Sequence, residues 1–499
     1  MPVERHLPDE AATTRLGNDL AGALKAGDVV ALHGDLGAGK STLARAVIRA
    51  LTGDPALEVP SPTFTLVQEY AARFPVRHYD LYRLAEPSEL DELGFDEAAS
   101  DGLVLVEWPE RAETRLPADA IHIGLAEEGP GRIAIFSGPP EALARIARSL
   151  AIRDFLAQAG WADADRAYLQ GDASARAYES VAVAGAAPRV LMNAPRQPDG
   201  PPIRDGLPYS RIARLAESVT PFVAVDMLLR DAGFAAPAIH ASDLDAGLLL
   251  IENLGAEPFL RDGEPVAERY AAAARVLADM HAVRWAADIR VAPGVAYRVP
   301  AYDRDAMAIE TELLLDWYVP RVTGHPASAD QRSDFAAAWD AVFTHLETAE
   351  TSLVLRDYHS PNLIWRDHLH GNDRVGILDF QDALIGPSAY DVASLAMDAR
   401  VDISPELEAT TVAAYCARRE ASTAFDRAAF AAAYAIMAAQ RNSKILGIFV
   451  RLDRRDGKPH YLRHLPRIRA YLARALAHRA LAPVSEAYRR LGIVDGQVS

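Results

Sequence analysis

Short apolar runs alternate with segments of helical periodicity over the first 140 residues of the chain. A helix is predicted over residues 39–51, where a run of turn-forming residues ends it. Strands are predicted at residues 28–33, 76–80, 103–107, 121–124 and 132–136. Strands that alternate with helices are typical of an α/β domain with a mainly parallel sheet.

A stretch rich in proline and glycine, residues 137–140, interrupts this pattern. A helical run follows, and then a second series of strands and helices begins. From about residue 303 the pattern is mainly helical, apart from strands and loops at residues 353–386. We therefore predict a first domain at residues 1–140, a linker at residues 141–150 and a second domain at residues 151–499.

Composition agrees with a folded protein of two or three domains. The chain has 499 residues, of which 50% are apolar and 24% are charged. Its one cysteine, Cys416, excludes an internal disulfide and a thiolate zinc site. The net charge is −17, and the first 140 residues contribute −11 of it. A broad basic surface for nucleic acid is therefore not expected.

No export or membrane signal is recognisable in the sequence. The first ten residues are polar, and the longest nearly uniform apolar run spans residues 428–439. This run is shorter than the roughly 17–25 residues that a spanning helix needs. We expect a cytoplasmic protein with no membrane partner.

Residues 34–41 read GDLGAGKS and match the motif G-x-x-x-x-G-K-[ST] between a predicted strand and a predicted helix. Glycines let backbone N–H groups converge on phosphate oxygens, and the start of a helix adds a favourable dipole. Lys40 can reach the β- and γ-phosphates of ATP, and the Ser41 hydroxyl can bind Mg²⁺. The candidate ATP-binding residues are Gly34, Leu36, Gly37, Ala38, Gly39, Lys40, Ser41 and Thr42.

Two acidic residues, Asp80 and Glu107, each end a predicted strand of the same domain. At the carboxyl edge of a parallel sheet they would lie near the phosphate site. A phosphate-binding loop of this type needs such a carboxylate on the metal side. Each could also be an ordinary solvated acid at the end of a strand.

Several further motifs occur in order: SPTFTLV at residues 61–67, HYDLYR at 78–83 and EWPER at 107–111. With the phosphate loop they resemble TsaE, the bacterial ATPase family that supports N6-threonylcarbamoyladenosine synthesis on tRNA. The resemblance covers about residues 5–137. It implies ATP and Mg²⁺ at Lys40, Ser41 and Glu107, a catalytic role for Asp80 and a switch-like loop at residues 61–67. It also implies TsaB–TsaD-like partners, so that tRNA is met only indirectly. The alternative is a self-contained nucleotide kinase, which needs an acceptor pocket and a lid of its own.

A second constellation lies at residues 353–382. Asp357 and Asn362 are five residues apart after an apolar run, and Asp379 ends another apolar run. In kinase-type enzymes such an aspartate accepts the proton of the acceptor hydroxyl, while the Asn and the second Asp hold Mg²⁺ on the ATP phosphates. We predict Asp357 as the catalytic residue and Asn362 and Asp379 as metal ligands.

The preceding 100 residues have features of a nucleotide-binding lobe. Residues 171–178, with Arg176, are a candidate loop over the phosphates, and residues 248–255, with Glu252, a candidate hinge beside the adenine. Met192 stands where kinases usually carry a strand lysine, and no lysine occurs between Lys40 and Lys444. Either arginines such as Arg176 hold the phosphates, or the domain is inactive.

These motifs, with QRNSKILGIF at residues 440–449, resemble the aminoglycoside/choline phosphotransferase superfamily, in particular its N-acetylmuramate/N-acetylglucosamine anomeric kinases. The resemblance covers roughly residues 150–485. It implies an α+β, bilobal, protein-kinase-like fold with lobes at about residues 151–255 and 256–499. It further implies transfer of the γ-phosphoryl group of ATP to the anomeric hydroxyl of a small amino sugar in cell-wall recycling.

The residues that contact the acceptor are less sharply defined. Arg356 and His359 flank the predicted base, and Glu312 and Trp317 lie on a helix of the insertion that usually shapes the acceptor pocket. That helix can equally be an ordinary amphipathic one. Basic residues at positions 441–458 could receive a carboxylate or could form a solvated face. Another small hydroxyl compound as substrate, and a regulatory pseudokinase that only binds nucleotide, remain alternative functions.

Overall fold

The computed structural model describes residues 3–169, 176–422 and 424–493. It divides into two compact units. The first contains residues 1–193 and 240–251, and the second contains residues 194–239 and 252–499. The two-domain boundary near residue 140 stays a prediction, because the compact units divide at other positions.

Seven strands of the first unit form one sheet in the order β1-β7-β6-β2-β5-β4-β3. The neighbours β6, β2, β5 and β4 run parallel, whereas β1, β7 and β3 join by antiparallel pairing. All five predicted strands of this region are present, and the α/β prediction is confirmed. The strands are β1 Val3–Leu7, β2 Val29–His33, β3 Val67–Tyr70, β4 Val76–Asp80, β5 Leu103–Glu107, β6 Ile121–Glu128 and β7 Gly131–Ser137.

Local signals set the ends of the helices in this unit. The Asp9 side chain accepts a hydrogen bond of 2.7 Å from the backbone N–H of Ala12 and caps the first helix. The predicted helix after the phosphate loop ends at Gly53, which has a φ of +70°. The helices are α1 Glu10–Ala23, α2 Lys40–Thr52, α3 Glu89–Glu92, α4 Phe95–Asp101 and α5 Pro140–Gln158, with a 3₁₀ turn at Pro109–Arg115.

Five further strands form a second sheet in the order β13-β14-β10-β9-β8. Helix α5 contributes to the hydrophobic cores beside both sheets. Ile146 and Leu150 pack in the core of the first sheet, and Ile152 and Leu156 pack in the core of the second. The strands are β8 Asp165–Leu169, β9 Ala177–Ala182, β10 Arg189–Asn193, β13 Ile239–Asp243 and β14 Leu248–Glu252.

The segment predicted as a linker, residues 141–150, is helical, as the helical run in the sequence predicts, and its role as a linker stays a prediction. It lies inside α5, which packs against α1, and its residues Ala142, Ile146 and Leu150 are buried. An ionic cluster, called the Asp19 cluster below, connects α1 and α5 with strands β8 and β9. The carboxylate of Asp19 accepts hydrogen bonds of 2.8 Å from both Arg153 and Arg166, and Arg166 also binds Glu179. The phosphate-loop region and the second sheet are therefore packed together within the first unit.

The second unit is mainly helical, as the sequence predicts. Its longest helix, α14 Arg427–Asp456, has 30 residues and packs against α12, α9 and α15. The other helices are α6 Tyr209–Ile212, α7 Thr220–Asp231, α8 Ala267–His281, α9 Arg304–Leu313, α10 Val319–Thr323, α11 Ala329–Phe343, α12 Ala389–Ala396, α13 Pro405–Ser422, α15 Leu465–Leu476 and α16 Ala482–Arg490.

The strands of the second unit pair two by two and include the predicted island around residue 360. They are β11 Pro202–Arg204, β12 Leu207–Pro208, β15 Leu260–Arg261, β16 Glu264–Pro265, β17 Asp288–Ala292, β18 Val295–Arg298, β19 Thr351–Val354, β20 Leu363–Trp365, β21 Val375–Ile377 and β22 Leu384–Pro387. No helix in the described ranges has the length and apolar character needed to cross a membrane.

Candidate active sites

The turn between β2 and α2 has the conformation of a phosphate-binding loop. Gly34, Gly37 and Gly39 all have positive φ, of 139°, 82° and 104°. A Cβ atom on Gly34 would lie 2.5 Å from the carbonyl oxygen of Leu125, so only glycine fits there. The loop opens into a cavity of about 390 Å³. Of the eight predicted ATP-binding residues in this loop, six line it: Leu36, Gly37, Gly39, Lys40, Ser41 and Thr42.

Lys40 is held over this loop by its own backbone. Its Nζ atom donates hydrogen bonds of 2.6 Å to the carbonyl oxygen of Gly34 and 2.9 Å to that of Asp35. The same atom lies 3.8 Å from the ring centroid of Trp108, a cation–π contact. Burial lowers the pKa of Lys40, while Glu107 and other nearby carboxylates act to raise it. The ammonium group is thus positioned for phosphate oxygens.

Glu107 and Ser41 meet at the base of the cavity. Ser41 Oγ donates a 2.7 Å hydrogen bond to Glu107, and the other carboxylate oxygen of Glu107 lies 2.9 Å from Nε2 of His78. Glu107 is buried, at 2% exposure. A hydroxyl and a carboxylate that converge beside a phosphate site are the hard oxygen ligands that Mg²⁺ prefers. The two residues therefore fit the predicted metal role.

Asp80 lies beside Glu107 because β4 and β5 are parallel and in register at these two positions. Its carboxylate accepts hydrogen bonds from Ser61 Oγ at 2.5 Å and Thr63 Oγ1 at 2.7 Å. Both hydroxyls belong to the predicted switch-like loop, residues 61–67, and both line the cavity with Asp80. The structure therefore brings together the loop, Asp80 and Glu107.

His78 and Trp108 belong to this site although the sequence predicted no role for either of them. A signal for His78 was present, because His78 and Asp80 are two residues apart on a strand and share one face of it. For Trp108 the sequence offered no signal beyond its position directly after Glu107. Its backbone is left-handed, with a φ of +60°, which turns the indole toward Lys40.

The kinase-type residues of the second unit also come together. Asn362 Nδ2 donates to the backbone carbonyl oxygen of Asp357 at 3.0 Å and lies 3.4 Å from a carboxylate oxygen of Asp379. The other oxygen of Asp379 accepts a 2.9 Å hydrogen bond from Gln381. An amide and a carboxylate side by side fit the predicted Mg²⁺ ligands. Asp357 is half-buried beside them.

Backbone strain marks this site as it does the first one. Arg356 and Asp379 have φ angles of +69° and +57°, which residues with side chains rarely adopt. Such residues persist where the surrounding structure holds them, and they concentrate at active sites. Here they flank the predicted base and provide one predicted metal ligand.

A buried ionic cluster lies directly behind Asp357. Glu310 is fully buried and forms ion pairs with Arg356 and with Lys444 Nζ, the latter at 2.8 Å. It also accepts hydrogen bonds from Tyr302 and Gln440. Burial acts to raise the pKa of Glu310, but Arg356 and Lys444 outweigh it and bring the pKa to about 2. Glu310 is therefore ionised at any physiological pH.

This cluster changes the interpretation of Arg356, which the sequence predicted to contact substrate. The Arg356 side chain is 2% exposed, and it donates to the carbonyl oxygen of Ala213 as well as to Glu310. Because its guanidinium group is occupied by these contacts, we expect Arg356 to position the neighbouring Asp357 and not to contact the substrate directly. His359 is also buried, near Asp398, and burial lowers its pKa.

The remaining predicted residues make contacts of their own. Glu312 is paired with Arg204 at 2.5 Å, and Trp317 is half-buried in a π-helical turn, Leu314–Tyr318. Glu252 ends β14 and accepts a hydrogen bond from the backbone of Ala238. Arg176 precedes β9 and is half-buried, whereas residues 170–175 of the candidate phosphate loop lie outside the described ranges. The roles given to these residues stay predictions.

The position of the usual strand lysine is taken by a core residue. Met192 on β10 is buried at 1% exposure. Arg189, on the same strand, lies with its guanidinium 4.4 Å from the ring centroid of Trp161. The structure therefore defines two classes of site: a phosphate-loop nucleotide site in the first unit, and a kinase-type set of Asp, Asn and Asp in the second.

Comparison with known proteins separates the same two parts. Residues 7–133 match the family described as threonylcarbamoyl adenosine biosynthesis protein TsaE, and residues 165–432 match the phosphotransferase enzyme family. An N-acetylmuramate/N-acetylglucosamine kinase of Caulobacter vibrioides is 36% identical over 354 residues, which are 69% of this chain and 96% of that protein. Its counterpart in Pseudomonas putida is 32% identical over 53% of this chain and 75% of its own length.

The amino-terminal part has relatives of its own. The tRNA threonylcarbamoyladenosine biosynthesis protein TsaE of Rickettsia conorii is 44% identical over 120 residues, which are 24% of this chain and 68% of that protein. The chain belongs to the phosphotransferase enzyme family, among the N-acetylmuramate/N-acetylglucosamine kinases, and carries a member of the TsaE family at its amino terminus. The predicted fold classes are confirmed. So is the prediction of an ATP-using enzyme, for which Mg²⁺ is the usual metal.

Proposed function

We propose that the chain phosphorylates the anomeric hydroxyl of N-acetylmuramate and N-acetylglucosamine with ATP, as part of cell-wall recycling. The observation that carries this proposal is the meeting of Asp357, Asn362 and Asp379 in a chain that covers 96% of a kinase named for these two sugars. Because both sites would use cellular ATP, we place the protein in the cytoplasm.

The residues brought together support a role for each of them in phosphoryl transfer. The Asp357 carboxylate accepts the proton of the sugar hydroxyl, whose oxygen then attacks the γ-phosphorus as the bond to ADP breaks. Asn362 and Asp379 would hold Mg²⁺, which neutralises charge on the phosphate oxygens. Burial acts to raise the pKa of Asp357, but Lys444, His359 and Arg441 lower it overall. The base is therefore ionised at neutral pH and ready to accept the proton.

A substrate panel tests the proposal. The purified chain is supplied with ATP and N-acetylmuramate, N-acetylglucosamine, choline or an aminoglycoside, and the phosphorylated product is followed by ³¹P NMR. Sugar 1-phosphates are expected from the first two compounds only. Phosphorylation of choline or the aminoglycoside instead would favour another acceptor class. Binding of ATP without any transfer would favour a regulatory pseudokinase.

We further propose that the first unit hydrolyses ATP in support of tRNA threonylcarbamoyladenosine synthesis, together with TsaB–TsaD-like proteins. The complete cavity around Lys40, Ser41, Asp80 and Glu107 supports it. Leu36 and Phe64 beside this cavity are 84% and 82% exposed, which suits a docking surface for a protein partner. The acidic charge of this part favours contact with tRNA through such partners only.

The lysine variants of the first unit test this second activity. Lys40→Ala should lose ATP hydrolysis and the ability to support tRNA modification with purified partner proteins. Lys25→Ala is the matched control, because Lys25 is exposed and lies outside the cavity. Unchanged hydrolysis in Lys40→Ala would contradict the assignment of this site.

A further inference from the structure

Helix α14 buries an arginine that lacks a partner. Arg441 is 4% exposed, and its Nη1 atom has no hydrogen-bond partner anywhere in the described part of the chain. No carboxylate of the described residues lies within ion-pair distance of it. A buried, unpaired guanidinium is costly, and proteins retain one where an anion completes its surroundings.

The neighbours of Arg441 place it against the predicted catalytic segment. Gln440 donates a 2.9 Å hydrogen bond to Glu310, the partner of Arg356. On the other side, Asn442 Nδ2 lies 3.4 Å from the sulfur of Met397. The next residue, Asp398, accepts a 2.8 Å hydrogen bond from the backbone N–H of Ser360. Arg441 therefore lies between two residues of α14 whose contacts lead to Arg356 and Ser360, the two ends of the segment that contains Asp357. Its charge also acts on Asp357.

The acidic groups nearby are already engaged. Glu310 pairs with Arg356 and Lys444. Asp391 accepts backbone hydrogen bonds from Leu355 and Arg356, and burial raises its pKa to about 7. Asp357 must stay open if it is to accept a proton from the acceptor. An anion for Arg441 must therefore come from a ligand.

We infer that Arg441 binds a carboxylate of the acceptor and so distinguishes an acidic amino sugar from a neutral one. The inference rests on the proposed kinase function. N-acetylmuramate carries a lactyl carboxylate that N-acetylglucosamine lacks. Among the basic residues at positions 441–458, Lys444 is held by Glu310 and Arg455 by Asp456. Arg441 and the half-buried Arg451 each have a buried N–H group without a hydrogen-bond partner. Arg451 lies over the ring of Tyr209, whereas Arg441 is 4% exposed and its charge acts on Asp357.

Steady-state kinetics with both sugars test the inference. Arg441→Gln should lower kcat/KM for N-acetylmuramate about 30- to 100-fold, and that for N-acetylglucosamine less than about 3-fold. Arg441→Lys should recover part of the loss. Arg455→Gln, on the same helix but exposed, should leave both values unchanged. The rates of all variants are compared at the same pH.

A measurement on the wild type removes the dependence on a folded variant. N-acetylmuramate is compared with its lactyl carboxamide, which has the same shape and no charge. We expect the wild type to prefer the acid at least about tenfold and Arg441→Gln to treat the two alike. Equal use of acid and amide by the wild type would overturn the anion site, and so would an equal loss for both sugars in Arg441→Gln. If the wild type neither binds nor phosphorylates either sugar, the kinase function and the anion site are both wrong.

Discussion

The two sites of this chain are built in different ways. In the first unit the polar groups come from short motifs on adjacent strands, and they are joined to one another: Lys40 to its own loop, Ser41 to Glu107, and Asp80 to Ser61 and Thr63. In the second unit the groups behind the base come from positions 310, 356 and 444, far apart in the chain. A site built by a local motif tolerates little change in sequence, whereas a site built by packing depends on the fold around it.

The largest effect is expected from removing the base of the second site. Asp357→Asn should lower kcat for sugar phosphorylation about 1000-fold, because the hydroxyl proton then has no acceptor. ATP hydrolysis by the first unit should be unchanged, since its cavity contains no residue of this segment. Parallel assays of the two activities check both statements. Loss of both activities would contradict the separation of the sites.

Breaking the buried cluster should affect stability as well as activity. Glu310→Gln leaves Arg356 and Lys444 buried without a carboxylate, which should cost about 3–5 kcal/mol of unfolding free energy. Urea denaturation measures this loss. Glu312→Gln is the matched control, because Glu312 pairs with the exposed Arg204 and such pairs contribute roughly 1 kcal/mol or less. Equal losses in the two variants would show that the cluster has no special weight.

The corresponding test in the first unit concerns the Asp19 cluster, which connects α1 and α5 with strands β8 and β9. Asp19→Asn should cost about 3 kcal/mol, because Arg153 and Arg166 would then lose their shared carboxylate. We expect sugar phosphorylation to become more sensitive to heat, since the same cluster holds β8 and β9. Asp154→Asn, which removes an exposed ion pair with Arg5, serves as control. Thermal inactivation that is identical in both variants would contradict a structural role for the Asp19 cluster.

A smaller and pH-dependent effect is expected at Asp226. This buried residue of α7 has no ion-pair partner within 4 Å in the described ranges. Burial therefore raises the pKa of Asp226 to about 7, whereas the pKa of the paired Glu310 is lowered. The unfolded carboxyl ionises near pH 4, so the stability that the protonated form contributes is lost as the pH rises from about 4 to 7. Asp226→Asn cannot ionise, and its advantage over the wild type should grow by about 2 kcal/mol between pH 5 and pH 8. A constant difference across that range would contradict the shifted pKa.

The sequence predicted the first site almost completely, because the phosphate loop and the strand-end acids are local features. It also predicted Asp357, Asn362 and Asp379 from their spacing. It could not predict the pairing of Glu310 with Arg356 and Lys444, since nothing in the spacing of these positions shows that α9 and α14 meet behind the catalytic segment. For the same reason it did not show that the Arg356 side chain is buried, and it included Arg441 only as one of several basic residues at positions 441–458.

Helix α5, which contains the predicted linker, also shows that local sequence pattern does not reveal how an element packs. Proline and glycine at residues 137–140 predicted a break followed by a helix, and the structure has a short break at Gly138 and Pro139 before Pro140 begins helix α5. The apolar residues on α5 had the periodicity of a helix, but only the packed structure shows that they enter two cores. Local pattern predicts an element, whereas its neighbours depend on the whole fold.

The central claim is that one chain carries two separate ATP-using sites, of which the second phosphorylates an amino sugar. The most direct measurement supplies wild type and Lys40→Ala with ATP and N-acetylmuramate and follows sugar 1-phosphate by ³¹P NMR. We expect product formation at the same rate in both proteins, with ATP hydrolysis in the absence of sugar lost only in Lys40→Ala. No sugar 1-phosphate from the wild type, or its disappearance in Lys40→Ala, would contradict two separate ATP-using sites.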